Sequence, residues 1–262
     1  MRLVRLSPHV MPAEVERVPV LPRGISSTQR AALVLLFAVP GVVILVADDR
    51  WGLRWVMGAL TVLIVTVSAG LRVMLGTIES RVVRVVGDAP TLHFAPPSAA
   101  TVPTLVLGVA SLLPAVAQFV VDVNDLPTMS GSFLLARAPY ALGVLGVAVI
   151  AVQLWRLRVP AGLELTPDGL RGIRGSARID WPWEDLAQVS VVAAPVAKLS
   201  LVPRAGAGSP ILAPMLVLGS DPNEVAAIVR YYLERPAERG ALADGGVEAV
   251  RRVENALRAR TA

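Results

Sequence analysis

The chain has 262 residues, 54% hydrophobic and 17% charged, with a net charge of +5. A soluble chain of this size carries about a quarter charged residues, so the surplus apolar side chains must face lipid rather than water. Cysteine is absent, which excludes disulfides, thiolate metal sites and a cysteine nucleophile, and the dispersed arginines with few aromatics beside them speak against nucleic acid as a partner.

Residues 1–30 read as a cytoplasmic tail in which Arg2, Arg5, Arg17, Arg23 and Arg30 outnumber Glu14 and Glu16. The first long apolar run begins only at Ala31, too late for a secretory signal. Leu3-Val4 and Val18-Pro19-Val20-Leu21 read as short strands that dock elsewhere in the chain. Charge-free runs follow at Ala31 to Ala47, Trp55 to Leu71, Thr101 to Val121 and Tyr140 to Trp155. Each approaches the roughly 20 residues that cross a bilayer core. Trp51, Trp55, Tyr140 and Trp155 lie near their ends, where amphipathic rings sit at headgroup level. Pro40, Pro103 and Pro114 are bends that a membrane helix tolerates, and Gly143 and Gly146 would admit a neighbouring helix. The expectation is a four-helix transmembrane region over residues 31–155.

A β-hairpin at about 79–95 interrupts that region, with strands at Arg81 to Val86 and Leu92 to Phe94. Arg72, Arg81, Arg84, Arg156 and Arg158 lie on the same side as the tail arginines. The opposite links carry Asp48, Asp49, Asp122 and Asp125 beside Arg50, Arg54 and Arg137. The positive-inside rule then expects a multi-pass protein of the cell inner (plasma) membrane with both termini cytoplasmic.

From Gly162 the periodicity changes. Leu163 to Leu165, Leu170 to Arg174, Ile179 to Trp181, Ala187 to Ala193, Lys198 to Val202 and Ile211 to Leu218 read as strands, with turns at Thr166-Pro167-Asp168-Gly169 and Pro182-Trp183-Glu184-Asp185. Ser220 to Glu224 reads as a helix start: Asp221 caps, Pro222 takes the first helical position and Glu224 reaches back. Val225, Ile228, Val229, Tyr232 and Leu233 form its apolar stripe. Val247 to Arg260 is a further short helix within a C-terminal extension, residues 237–262.

The segments GLELTPDGLRG, RIDWPWEDLAQV and DPNEVAAIVRYYLERP resemble the bacterial pleckstrin-homology-like (PH-like) domains of actinobacterial membrane proteins, with Trp183, Asp185 and Leu186 at matching positions. The resemblance covers residues 160–236. It implies an α+β membrane protein in which a cytoplasmic PH-like β-sandwich or barrel is capped by a C-terminal helix.

No phosphate-binding loop, metalloprotease pair or nucleophile elbow is present, and His9 and His93 are far apart. Hence no catalytic residue, cofactor or metal is expected, and the chain does not read as an enzyme. The residues singled out for lipid or partner contact are Arg156, Arg158, Arg171, Arg174 and Arg178, which border the first strands and the last membrane segment. The lipid bilayer is the expected partner, with an anionic headgroup and a protein partner as further candidates. The functional expectation is a non-enzymatic interaction or scaffold module on the membrane; the alternative is a transport or lipid-handling component.

Overall fold

The computed structural model describes residues 3–8, 17–18, 43, 49–127, 133–174, 178–194, 196–204 and 209–261. The chain forms two units. One contains Met1–Arg23, Gly76–Ala100 and Arg156–Ala262, the other Gly24–Leu75 and Thr101–Trp155.

The second unit is helical, built from α1 (Trp51–Gly76), α2 (Ser98–Ala110), α3 (Leu113–Val123) and α4 (Phe133–Arg156). Three stretches are long and apolar enough to span a bilayer: Trp51–Gly76, Val102–Val123 and Arg137–Arg156. At about 1.5 Å per residue even the shortest reaches about 30 Å. This is a multi-pass membrane protein, but the described residues hold three such stretches rather than the expected four. The Ala31 to Ala47 run lies outside them apart from Val43. The middle stretch is two helices: Pro114 has no N–H for the Ala110 carbonyl and lies in the first turn of α3, and just before it the Leu112 N–H donates to the Val109 carbonyl at 3.0 Å in a tighter turn. Val62, Val65, Phe119, Val144, Leu145 and Val147 are exposed, as lipid-facing side chains should be. Inside the unit the backbones approach through small residues. A Cβ on Gly143 would lie 2.5 Å from Ala115 Cβ, and one on Gly146 would lie 2.7 Å from the Gly108 carbonyl.

The first unit is built on a six-stranded antiparallel meander. Its strands are β1 (Leu3–Leu6), β2 (Val83–Val86), β3 (Leu92–Phe94), β4 (Leu163–Leu165), β5 (Gly169–Gly172) and β6 (Ile179–Pro182). Leu3 faces Val86, Val85 faces Phe94, Leu92 faces Leu165 and Leu170 faces Trp181. A 3₁₀ turn at Trp183–Asp185 leads to a second sheet of β7 (Leu186–Ala194), β8 (Val196–Pro203) and β9 (Ile211–Pro214). The chain continues through α5 (Met215–Leu218), α6 (Pro222–Glu234), a 3₁₀ segment at Pro236–Asp244 and α7 (Gly246–Thr261). Helix α6 packs on β7 and β8, and α7 packs on β2 and β3.

Both sheets are open, which overturns the expected PH-like sandwich or barrel. Among the described residues β6 does not pair with β7, and β9 does not pair with β1. The chain leaves β6 through the 3₁₀ turn at Trp183–Asp185, which interrupts the strand and starts β7 as a separate sheet, so the continuous strand-to-strand pairing that closure needs is not made. Helices cover the apolar faces instead. One core joins Val83, Val85, Leu92, Phe94, Leu163, Leu165, Leu199, Leu201, Ile228, Tyr232, Val250 and Val253. Burying each such large side chain stabilises by about 1.5–3 kcal/mol.

Trp183 and Tyr232 show how the helices are fixed. The Trp183 indole N–H donates to the Thr166 carbonyl at 2.9 Å, and the Arg239 guanidinium lies 4.9 Å from the ring centroid. Arg239 also donates to the Tyr232 and Leu233 carbonyls, closing the C-terminal end of α6. Burial lowers the Arg239 pKa, against the opposing pull of Glu184 at 3.6 Å. The Tyr232 hydroxyl, fully buried, donates to the Ala249 carbonyl at 3.0 Å and ties α6 to α7. Burial, then the neighbouring Tyr231, pushes this phenol well above its ordinary pKa. A raised folded-state pKa favours the protonated form, so its contribution is complete below about pH 10 and is lost as pH rises toward the folded value. Unfolding of the detergent-solubilised chain, followed from pH 8 to 11.5, should therefore show stability falling above about pH 10. In Tyr232→Phe that fall should be shallower; an unchanged slope would assign it to other groups.

Candidate functional site

The five arginines singled out from the sequence occupy different settings. Arg171 pairs across the β5–β6 ladder with Asp180, 3.2 Å from Nε to Oδ1, with both side chains more than half exposed. Such a pair contributes about 0–1 kcal/mol. Arg174 turns back and donates from Nε to the Val159 carbonyl at 3.1 Å, bracing the turn that leaves α4. Arg156 closes the last turn of α4, and Arg158 is exposed just beyond it. Arg178 is exposed immediately before β6.

The densest polar arrangement lies instead at the entrance to α6. Ser220, Asp221, Asn223 and Glu224 are all buried there. Helix α5 ends at Gly219, whose φ of 65° and whose approach to Ala95 (a Cβ would lie 2.3 Å from that carbonyl) only glycine accommodates. The following residues are thereby pressed against β2. Ser220 Oγ accepts from the Arg84 N–H at 2.9 Å and donates to the Arg84 carbonyl at 3.3 Å, taking the place of a strand partner. The Asp221 N–H donates to the Val82 carbonyl at 2.8 Å. The Asp221 carboxylate accepts from the Arg81 N–H at 2.7 Å and from the Asn223 N–H at 2.9 Å. Asp221 is thus the expected cap of α6 and also a partner of Arg81 and Val82, the residues that lead into β2. The expected reach of Glu224 back to the Asp221 N–H gives way to the Val82 bond.

Below this knot the Arg84 side chain, 9% exposed, donates to the Gly219 carbonyl at 2.7 Å and the Thr77 carbonyl at 3.1 Å. Its Nη2 lies 3.4 Å from Glu79, which also meets Arg5 of β1 at 2.7 Å. Above it, the tail residues Arg17 and Val18 are held. Asn223 Nδ2 donates to the Val18 carbonyl and Asn223 Oδ1 accepts from the Val18 N–H, both at 3.1 Å. This reciprocal pair copies what a β-strand neighbour offers. Arg17 Nη2 donates to Glu224 Oε1 at 2.6 Å, and Nη1 lies 4.0 Å from Asp221. Sequence reasoning read Ser220–Glu224 only as a helix start and Arg17 only as one of several tail charges. The remaining signal was the unusual company of Ser, Asp, Asn and Glu around one proline.

In the helical unit Asp122 lies within the last turn of α3 rather than in the following link. Its carboxylate accepts from Gln118 Nε2 at 2.7 Å and from the Tyr140 hydroxyl at 2.6 Å, joining α3 to α4. Gln118 is thereby linked to α4 through Asp122. Asp49 lies 3.4 Å from Arg54, and Asp48 falls outside the described residues. Among the described residues no group of three or more His, Asp or Glu is placed to hold a metal ion. His93 Nε2 lies 2.8 Å from the Ala161 carbonyl, and His9 is outside the described residues.

No protein-family model matches the chain, and no curated protein or solved structure matches it. The resemblance to PH-like membrane proteins, and the actinobacterial type attached to it, is therefore withdrawn together with the interaction-module reading it carried. Its Trp-Glu-Asp segment is a local device, in which a buried Trp183 turns the chain from one sheet to the next.

Glu224 is fully buried and Arg17 is 32% exposed. Allowing for that exposure, removing the arginine should cost about 1–3 kcal/mol. In a double-mutant cycle of Arg17→Ala and Glu224→Gln, monitored by thermal unfolding, the paired loss should be smaller than the sum of the single losses. Additive losses would show that the two side chains do not interact in solution.

Proposed function

We propose that the chain is a non-enzymatic, multi-pass membrane protein whose β/α domain faces the cytoplasm and holds the chain's own N-terminal segment at the entrance to α6. The observation that carries this reading is the α6 entrance, where the carboxylates, the amide and the serine spend their hydrogen bonds on main chain and on an arginine. Groups engaged in this way bind and position polypeptide, which supports a holding role for this site.

The sheet supports this placement. A hydrogen-bonded sheet is not divided by a bilayer, so Leu3–Leu6, Val83–Phe94 and Leu163–Pro182 share one side of it. Between Phe94 and Leu163 the chain passes out and back through Val102–Val123 and Arg137–Arg156. Between Leu6 and Val83 it passes through Trp51–Gly76, and most of residues 9–48 lie outside the described residues. The arginine excess on the shared side supports a cytoplasmic location for it, in a protein of the plasma membrane. The native chain has no cysteine, so single cysteines report topology cleanly. Ser7→Cys, Asp88→Cys and Asp244→Cys should react with an impermeant maleimide only after cells are opened, and Asn124→Cys in intact cells. Labelling of Ser7→Cys from outside would sink the assignment.

Arg156, Arg158 and the Arg174-braced turn follow the last apolar helix directly, where an anionic leaflet contributes about 1 kcal/mol per basic residue. The full chain is needed to test this, because residues 160–262 lack β1, β2 and β3. In proteoliposomes, anionic lipid should raise the unfolding temperature of the parent more than that of Arg156→Gln/Arg158→Gln. Equal gains would remove lipid contact at these residues.

A further inference from the structure

Asn223 and Glu224 treat the tail as a binding site treats a peptide. Asn223 reads main chain through a two-way amide pair, which any extended residue other than proline satisfies. Glu224 adds a side-chain requirement, a guanidinium within 2.6 Å of a carboxylate that has no exposure to water. The rest of the entrance is fixed independently of the tail, because Ser220 is bonded to Arg84 of β2 and Asp221 to Arg81 and Val82 just before it. The tail in turn has a separate attachment, since Leu3–Leu6 is paired in the sheet at Val83–Val86. Leaving the site therefore does not require β1 to unpair. Arg17 stays about a third exposed, so the ligand side of the pair is open to exchange with solvent.

Resting on the segment-holding reading above, we propose that the Asn223–Glu224 entrance is a peptide-binding site for an extended segment in which an arginine precedes an apolar residue. The chain's own Arg17-Val18 is its resident ligand, and an incoming segment of the same chemistry displaces it. The resident segment thereby sets a threshold: a competing peptide must exceed the high local concentration that tethering gives the tail.

The test uses the full chain in detergent micelles. Glu16→Cys, the single thiol, carries an environment-sensitive fluorophore, and the probe is a synthetic peptide spanning residues 13–22. The peptide should shift the fluorescence saturably, and the same peptide with Arg17→Ala should need at least about tenfold more to do so. In a second variant, Arg17→Glu/Val18→Pro, the tail has lost both its charge and its N–H donor. This chain should capture labelled peptide at lower concentration than the parent, and adding Asn223→Ala/Glu224→Gln should abolish capture. Absence of any saturable shift with the parent at millimolar peptide overturns the proposal, as does equal potency of the two peptides. Release of the tail without peptide capture by the second variant also overturns it, while leaving the segment-holding reading in place. If the second variant does not fold, the competition on the parent decides alone.

Discussion

The ladder between β3 and β4 is the constraint on which the rest of the molecule depends. Leu92, His93 and Phe94 pair with Leu165, Glu164 and Leu163 across an interval of sequence that contains α2, α3 and α4. The β1–β2 ladder does the same across α1. A sheet pays for such pairings with the entropy of long loops, which grows only logarithmically with length. Here the apolar helices have lipid to occupy, so the intervening chain is ordered on its own account. The wholly buried Leu92, Phe94, Leu163 and Leu165 then secure the ladder on its core side.

That pairing leaves β2 with a deficit. Strand β3 is one residue shorter than β2, and only Val85 is matched to it, at Phe94. The backbone groups of Val82 and Arg84 need other partners, since unpaired polar groups in a buried place cost about 1–3 kcal/mol each. The α6 entrance supplies them through Ser220 and the Asp221 main chain. Burial of Asp221 and Glu224 follows, and two buried carboxylates call for positive charge. Arg17 answers from the tail. The recognition geometry is thus a consequence of how a short hairpin is completed.

The helical unit solves its own problem by different means. Lipid supplies no hydrophobic drive between helices, so close packing and shared hydrogen bonds hold them. Gly108, Ala115, Gly143 and Gly146 allow the backbones to meet, and the Asp122–Tyr140 bond fastens α3 to α4 near the end of the span.

Much of this was legible from local chemistry. Charge-free runs, interfacial tryptophans and the Gly143/Gly146 pair declare membrane helices, because lipid acts on composition and length alone. Asp168-Gly169, Trp183 and the Asp221-Pro222 cap declare their turns, because dihedral preferences are local. Sheet closure was not legible: short strands such as Ile179–Pro182 read the same whether they join β7 or stop, and only the register shows that they stop. Nor were the roles of Arg17, Arg171 and Glu224. A charged residue in the sequence looks alike whether it is solvated, paired across a ladder as Arg171 is with Asp180, or drawn onto a buried carboxylate as Arg17 is onto Glu224. Composition and periodicity, which act along the chain, determined that this protein enters a membrane and carries a β/α domain. Contacts between residues far apart in the chain, which depend on register and on the demand that buried polar groups be satisfied, decided that the sheets stay open and that the tail is held at α6.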